Sequence, residues 1–140
     1  MIKKKIILIY FLLSFFSVQA AENNKYFKQG VELFKNNKLD EAKISFEKDI
    51  IRNTKNKESY LYLSKIYKNK NNLNEFEKNL NTVLLLDPKN EEALYLFILK
   101  EIKDADYENA VVRFELFKKS CQKICDKQKE INQLLKKNKT

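Results

Sequence analysis

The chain repeats itself with a period of 34 residues, which is the spacing from Tyr26 to Tyr60 and from Tyr60 to Leu94. No other feature restricts its fold as strongly. A fixed period of about 20 to 50 residues is typical of repeat proteins, in which each unit buries its apolar face against the next. We therefore predict three repeats, at about 23–56, 57–90 and 91–124. Four further sets of equivalent positions follow this period: Gly30, Ser64 and Ile98; Leu39, Leu73 and Tyr107; Ala42, Phe76 and Ala110; Phe46, Leu80 and Phe114.

Glycine and proline are nearly absent from the 140 residues, which contain one of each, Gly30 and Pro88. The short turns of β-hairpins need residues that tolerate a positive φ, usually Gly, so an all-β sandwich or barrel is excluded. The chain also has no His and no Trp, which removes His bases, His metal ligands and Ser–His or Cys–His pairs. Each repeat is interpreted as two helices joined by a polar turn, at 36–38, 70–72 and 103–106.

Two segments, LDEAKISFEKDI (39–50) and DYENAVVRFELF (106–117), resemble the second helix of a tetratricopeptide repeat (TPR). In that family an aromatic residue or Leu, an Ala three positions later and an aromatic residue four positions beyond pack against the first helix. The segment VLLLDPKNEEALY (83–95) is similar to the family's junction between repeats, where a Pro commonly ends one unit. The resemblance implies an all-α fold, a right-handed α-solenoid of three TPR-like helix pairs with a C-terminal capping helix.

Several positions depart from the family pattern. Phe76 stands where a small Ala is expected, so we expect the second helix pair to repack or splay. Asp49 occupies a site that is usually apolar. In the third repeat Ile98 replaces a small residue, Glu101 replaces an aromatic one, and Ala105 stands where Gly commonly makes the turn. The first helix of the third repeat is therefore the least typical of the family.

Residues 125–140 begin a fourth unit without completing it. Their apolar side chains, with Ile124, fall on one face of a helix whose other positions are Lys, Gln and Glu. A stack of repeats needs an end helix with an apolar inner face and a polar outer face. We therefore predict a capping helix from residue 125, followed by a frayed basic tail.

Cys121 and Cys125 lie at the end of the third repeat and the start of the predicted cap. A turn between them would bring the two sulfur atoms together, and we predict a short structural disulfide that pins the cap. The alternative is a pair of reduced cysteines. Their spacing is not that of a C-x-x-C redox motif, and two thiolates without His make a poor zinc site, so neither a metal nor a cofactor is expected.

Residues 1–20 have the three-part layout of a secretory signal peptide. Three Lys within residues 1–5 precede an apolar run from Ile6 to Phe16, and a short segment ends at Ala20. The run is shorter than the roughly 20 residues that span a bilayer as a helix. We therefore predict cleavage after Ala20 and a periplasmic or secreted protein, with an uncleaved signal anchor as the alternative.

The formal net charge of +9 is distributed unevenly. Residues 1–20 carry +3, residues 21–117 are neutral, and residues 118–140 have eight Lys against Asp126 and Glu130. This basic tail is either a solvated helix end, where Lys complements the helix dipole, or a weak contact with anionic lipid headgroups. Lys outnumbers Arg 26 to 2 without an aromatic–basic platform, so nucleic acid is not an expected partner.

The resemblance implies that the first helices of the repeats line a concave face, which in this family commonly holds an extended peptide or a partner helix. The corresponding residues here are mainly apolar and aromatic, with two Lys at the centre. A hydrophobic peptide or amphipathic helix with acidic groups near those Lys is the predicted partner; the alternative for each residue is packing between repeats. The predicted partner-binding residues are Phe27, Val31, Phe34, Leu61, Lys65, Lys68, Tyr95 and Leu99, with Ile102 beside them.

The predicted function is a non-catalytic protein–protein interaction scaffold of the cell envelope or secreted space. Three repeats are near the minimum for a stable stack, so weak self-association is also expected. The alternative is a membrane-surface protein held by the Lys-rich tail or by an uncleaved anchor. Four carboxylates are interpreted as solvated helix faces and first-turn dipole partners rather than as a hydrolytic pair: Glu75, Glu77, Glu91 and Glu92.

Overall fold

The computed structural model describes residues 24–137, which form seven α-helices and, within that range, no strand. The predicted all-α class is confirmed. The predicted signal peptide and residues 138–140 of the predicted tail lie outside the described residues. The helices are α1 (Lys25–Lys35), α2 (Leu39–Arg52), α3 (Lys57–Asn69), α4 (Leu73–Leu86), α5 (Glu91–Lys103), α6 (Tyr107–Ser120) and α7 (Lys127–Lys137).

The chain divides into two compact units, one that ends at Leu63 and one that begins at Ser64, within α3. In the first unit α1 packs on α2. In the second unit α5 packs on α4 and α6, and α7 packs on both α5 and α6. Among the described helices, none has the combination of length and apolar character that crossing a membrane requires.

The turns within the three helix pairs each contain one non-Gly residue with a positive φ. In each turn a backbone N–H donates to the carbonyl five residues earlier, which closes the end of the first helix as in a Schellman motif. Asn tolerates this left-handed conformation better than other non-Gly residues, whereas Ala does so at a cost. The positive φ angles are 57° at Asn37, 55° at Asn71 and 61° at Ala105.

In the first unit, α1 approaches α2 closely at Gly30. A Cβ atom placed on Gly30 would lie 2.7 Å from Cε1 of Phe46, a separation that real Cβ contacts do not reach. Phe46 is fully buried, and its ring stacks on the Tyr62 ring with centroids 4.9 Å apart. Gly30 is therefore required for space rather than for an unusual backbone angle, since it lies inside α1.

A buried carboxylate connects the end of α2 to the start of α3. Asp49 is 1% exposed, and its Oδ2 accepts hydrogen bonds from the Ser59 hydroxyl and the Asn56 side-chain amide, both at 2.6 Å. Its Oδ1 is buried and has no hydrogen-bond partner within residues 24–137. The polar residue at a usually apolar position thus forms a local clamp across the 53–56 turn.

In the second unit, the core is formed by α5, α6 and α7. Ile98 occupies the position equivalent to Gly30 and is fully buried. Phe76, at the position where a small Ala was expected, is also buried. The core cluster consists of Leu94, Ile98, Ile102, Ala110, Phe114, Phe117, Ile131 and Leu135.

A partly buried ion pair crosses from α5 to α6. Arg113 Nε donates to both carboxylate oxygens of Glu101, at 2.9 and 3.1 Å, and Nη2 lies 2.8 Å from Oε1. The guanidinium carbon of Arg113 is 4.3 Å from the centroid of the Phe97 ring. Glu101 therefore replaces the usual aromatic residue with a carboxylate whose charge is neutralised at close range.

The segment between α6 and α7 is fixed at two places. Cys121 and Cys125 form a disulfide, with Cα atoms 5.3 Å apart. Glu91, the first residue of α5, accepts hydrogen bonds through Oε2 from the backbone N–H groups of Lys123 and Ile124, at 2.9 and 3.0 Å. These contacts place α7 so that Ile131 and Leu135 fill the core.

Candidate partner-binding surfaces

In the first unit, two of the predicted binding residues belong to an aromatic cluster. The rings of Phe27 and Phe34 are half-buried, and their centroids lie 6.1 and 5.1 Å from the Tyr62 centroid, edge to face. Phe27 is also 6.1 Å from Phe46. Both residues therefore pack against the core and expose only part of their rings to a partner.

The remaining predicted residues of this unit differ in their exposure. Val31 is half-buried and, together with Phe27, lines a shallow depression of about 260 Å³ on the surface of α1. The charged residues Lys28, Glu32 and Lys35 surround this depression. Leu61, in contrast, is only 8% exposed and belongs to the core. A partner could contact Val31 directly but would find little of Leu61.

In the second unit, the two central Lys have different environments. Lys65 Nζ lies 2.6 Å from Oε1 of Glu92, so its charge is already matched within the protein. Lys68 is exposed, and its ammonium lies 6.0 Å from the centroid of the Phe76 ring. Only Lys68 of this pair therefore presents a charge with no ion-pair partner among residues 24–137.

Tyr95 is held by the capping helix. Its hydroxyl donates to Oε1 of Glu130 at 2.9 Å, and Lys127 Nζ lies 3.1 Å from Oε2 of the same carboxylate. Desolvation, followed by the neighbouring carboxylate, raises the pKa of Tyr95, whereas hydrogen bonds from Lys127 and Tyr95 lower the pKa of Glu130. The hydrogen bond that Lys127 donates to Glu130 is the main reason that the pKa of Lys127 is raised. The Tyr95 hydroxyl is thus engaged by α7 before any partner binds.

The second unit also contains a cleft of about 280 Å³ beside the turn between α3 and α4. Its apolar wall comes from α4 and α5, and three Lys and one Asp form its polar edge. Leu99 is the predicted binding residue that lines it on α5, and Lys68 is the one on α3. The apolar lining residues are Leu73, Phe76, Leu96 and Leu99.

The charges at the edge of this cleft are only partly compensated. Lys100 Nζ lies 2.9 Å from Glu77 and 3.1 Å from Asp104; the hydrogen bond to Glu77 is the main reason that the pKa of Lys100 is raised. Lys68 and Lys103 also line the cleft, and within residues 24–137 neither forms an ion pair. The cleft therefore combines an apolar wall with a local excess of positive charge.

The four carboxylates that the sequence analysis weighs as a hydrolytic pair all have polar partners within the protein. Glu75 lies 3.3 Å from Lys78, Glu77 pairs with Lys100 and Glu92 with Lys65, and Glu91 holds the segment before α7. No group of three or more acidic or Cys residues within residues 24–137 has the arrangement of a metal site. Each of these four carboxylates thus has a contact that explains its position without catalysis.

Four residues of the cleft are not among the binding residues that the sequence predicts: Leu73, Phe76, Leu96 and Lys103. Their sequence signal is weak because Leu73 and Phe76 belong to a second helix, whereas the family resemblance directs attention to the first helices. Lys103 lies where α5 ends, and only the fold brings it next to Lys68.

Comparison with known proteins identifies the fold. The chain is similar to the TPR2B domain of yeast Sti1, which was solved as a complex with pHsp70, with a TM-score of 0.71 and 16% sequence identity. The similarity covers 85% of this chain and 97% of that one. The TPR-like fold that the sequence resemblance implied is therefore confirmed. No family model matches this sequence, and no curated protein matches it either.

Proposed function

We propose that this protein is a non-catalytic scaffold that binds a segment of another protein on the first helices of its TPR-like repeats. The observation that carries the proposal is the set of half-buried apolar side chains on these helices, Phe27 and Val31 in the first unit and Leu99 in the second. Such residues offer apolar area to an extended peptide or an amphipathic helix. The TPR2B domain, which shares the fold, was solved with a protein partner.

Two substitutions test the surface without entering the core. Val31→Asp and Leu99→Asp each place a charge on a half-buried apolar position, and Val112→Asp is the matched control on an exposed site of α6. Tagged protein is crosslinked in intact cells, captured and examined by mass spectrometry for co-purified proteins. We expect the two surface variants to lose a partner that wild type and Val112→Asp retain, with unchanged helical circular dichroism.

One outcome of this experiment would count against the proposed binding surface. If both surface variants remain helical and keep every partner of the wild type, binding on the first helices is wrong. If they lose their helical signal, the substitutions have disturbed the fold. The capture experiment is then repeated with the milder variants Val31→Ser and Leu99→Ser and judged by the same outcomes.

The proposed setting is the cell envelope or the space outside the cell. It is supported by the signal-like sequence of residues 1–20 and by a disulfide, which persists in oxidising compartments and is rare in the cytosol. Mass spectrometry of the native protein is expected to find Ala21 as the first residue and no free thiol. A native N-terminus at Met1 in a membrane fraction would support the signal-anchor alternative.

The membrane-surface alternative concerns α7 and the residues after it. Lys129 and Lys136 are exposed on α7, and each basic residue near an anionic surface contributes about 1 kcal/mol. If this alternative holds, mature protein binds anionic vesicles in a salt-sensitive manner and loses that binding on Lys129→Gln with Lys136→Gln. Equal binding by the variant and the wild type would exclude it.

A further inference from the structure

Resting on the scaffold function above, we infer that the cleft beside the turn between α3 and α4 determines which segment is bound. Its occupant is an acidic segment of a partner protein, in which a large apolar side chain enters the cleft and flanking carboxylates meet Lys68 and Lys103. The shape of the cleft, the apolar surface that Leu73 and Leu99 expose in it and the charge at its edge support this assignment.

The cleft has room for one large side chain. Its volume of about 280 Å³ is bounded by Phe76 and Leu96, which are buried, and by Leu99, which is half-buried. Leu73 is 43% exposed at its margin. Phe76 and Leu96 expose little surface, so the area that a partner covers belongs mainly to Leu73 and Leu99. Covering it removes apolar surface from water at about 25 cal/mol per Å². The wall therefore favours a Phe or Leu side chain over a polar one.

The edge of the cleft selects the charge of the residues that flank this side chain. Lys100 is neutralised by Glu77 and Asp104 and serves mainly to hold these two carboxylates. Of the three Lys that line the cleft, Lys68 and Lys103 are the two that form no ion pair within residues 24–137. Carboxylates next to the bound side chain would complement them, whereas basic residues would be repelled.

Only one of the two Lys predicted from the sequence, Lys68, lines this cleft. Lys65 and Lys68 are three positions apart on α3, but Lys65 is satisfied by Glu92 at 2.6 Å. The positive charge available to a partner therefore lies at Lys68 and Lys103.

The test uses a labelled peptide of sequence Ser-Glu-Phe-Asp-Ser, together with three analogues. One analogue has Gln and Asn in place of the acids, one has Lys in both places, and one has Ser in place of Phe. NMR titration of the mature protein follows amide shifts at high peptide concentration, so weak binding is still measured. We expect shifts confined to residues 68–76 and 96–104, with binding about fivefold weaker for the neutral and Ser analogues.

Charge reversal makes the test specific. The variant with both Lys68→Glu and Lys103→Glu should lose the acidic peptide and prefer the Lys analogue, while Lys89→Glu, an exposed site outside the cleft, should behave as wild type. A preference that does not change in the double variant overturns the inference. The inference is also overturned if the acidic peptide shifts only the amide signals of the first unit, or if it does not bind at all.

Other occupants give distinct results. Shifts of the cleft residues that depend on protein concentration without peptide would identify a second copy of this chain and overturn the inference. The inference is likewise overturned if anionic vesicles shift the amide signals of the cleft residues and the acidic peptide does not. If the cleft fails these tests but Val31→Asp still abolishes partner capture, the scaffold function stands and only the assigned specificity is wrong.

Discussion

The first and third helix pairs differ at the position where a TPR-like pair is usually small. In the first pair Gly30 leaves room for the Phe46 ring, whose edge lies within 3 Å of where a Cβ atom would be. In the third pair Ile98 fills the same position and packs in a core with Ala110 and Phe114. The same repeat period thus accommodates two packing solutions, one with a bulky residue on the second helix alone and one with bulky residues on both.

The two pairs also contain different buried polar groups. Asp49 accepts two short hydrogen bonds from neutral side chains close in sequence, whereas Glu101 pairs with the guanidinium of Arg113 on the next helix. Buried charges are costly unless they are paired or hydrogen-bonded. The two buried carboxylates therefore both have polar partners, and in both cases the hydrogen bonds connect successive helices.

The largest effect is expected at Gly30. Gly30→Leu places a side chain where the Phe46 ring lies and should lower the free energy of unfolding by about 3 kcal/mol or more. At the equivalent position of the third pair, Ile98→Leu conserves volume and should cost less than about 1.5 kcal/mol. Chemical denaturation followed by circular dichroism measures both. A neutral Gly30→Leu would contradict the assigned helix packing.

The next effect concerns the ion pair of the third helix pair. Arg113→Met leaves the Glu101 carboxylate buried without its partner and should cost about 2 kcal/mol, less than a fully buried pair because Arg113 is partly exposed. Combining it with Glu101→Leu should restore most of this loss. Lys78→Met, which removes an exposed ion pair with Glu75, is the control and should cost less than about 0.5 kcal/mol. Failure of the double variant to recover would argue against the proposed role of the pair.

A smaller effect is expected where Glu91 holds the segment before α7. Desolvation raises the pKa of Glu91, but backbone N–H groups of Ile124, Lys123 and Gln122 outweigh it, so the pKa is below its ordinary value of 4.5. The ionised carboxylate therefore stabilises the fold above that value, and its stabilisation is lost as the pH falls through the lowered pKa.

Glu91→Gln should consequently cost about 1 kcal/mol at neutral pH, a modest amount because the carboxylate is partly solvated. The difference from wild type should shrink as the pH falls through the lowered pKa of Glu91 and disappear once its carboxyl is protonated. Glu108→Gln in the first turn of α6 serves as the control for the helix dipole alone. A loss that persists unchanged in acid would show that the charge of Glu91 is not responsible.

The smallest effect has the opposite sign. Ala105 adopts a φ of 61°, so Ala105→Gly should relieve left-handed strain and stabilise the protein by about 0.5–1 kcal/mol. Asn37→Gly, in the equivalent turn of the first pair, should gain less because Asn tolerates this conformation. Ala110→Gly inside α6 should instead cost more than about 1 kcal/mol, because it lowers helix propensity and also removes a buried methyl group. Thermal melts of the three variants test this order, which a destabilising Ala105→Gly would contradict.

Much of the fold follows from local sequence patterns. The 34-residue spacing from Tyr26 to Tyr60 predicts pairs of helices, and the predicted polar turns contain the residues with positive φ, Asn37, Asn71 and Ala105. Local patterns are readable because periodicity, turn chemistry and helix ends depend on neighbouring residues. The candidate site was less predictable, since exposure and ion pairing depend on contacts far apart in the chain.

The sequence by itself determined the all-α class, the repeat period and the residues of the turns. Only the tertiary structure decided that Leu61 is buried, that Tyr95 is bound to Glu130, and that Lys65 is neutralised by Glu92. It also brought Lys68 and Lys103 to one cleft. The physical reason is that a helix presents several faces, and the packing of neighbouring helices determines which of them remains open to a partner.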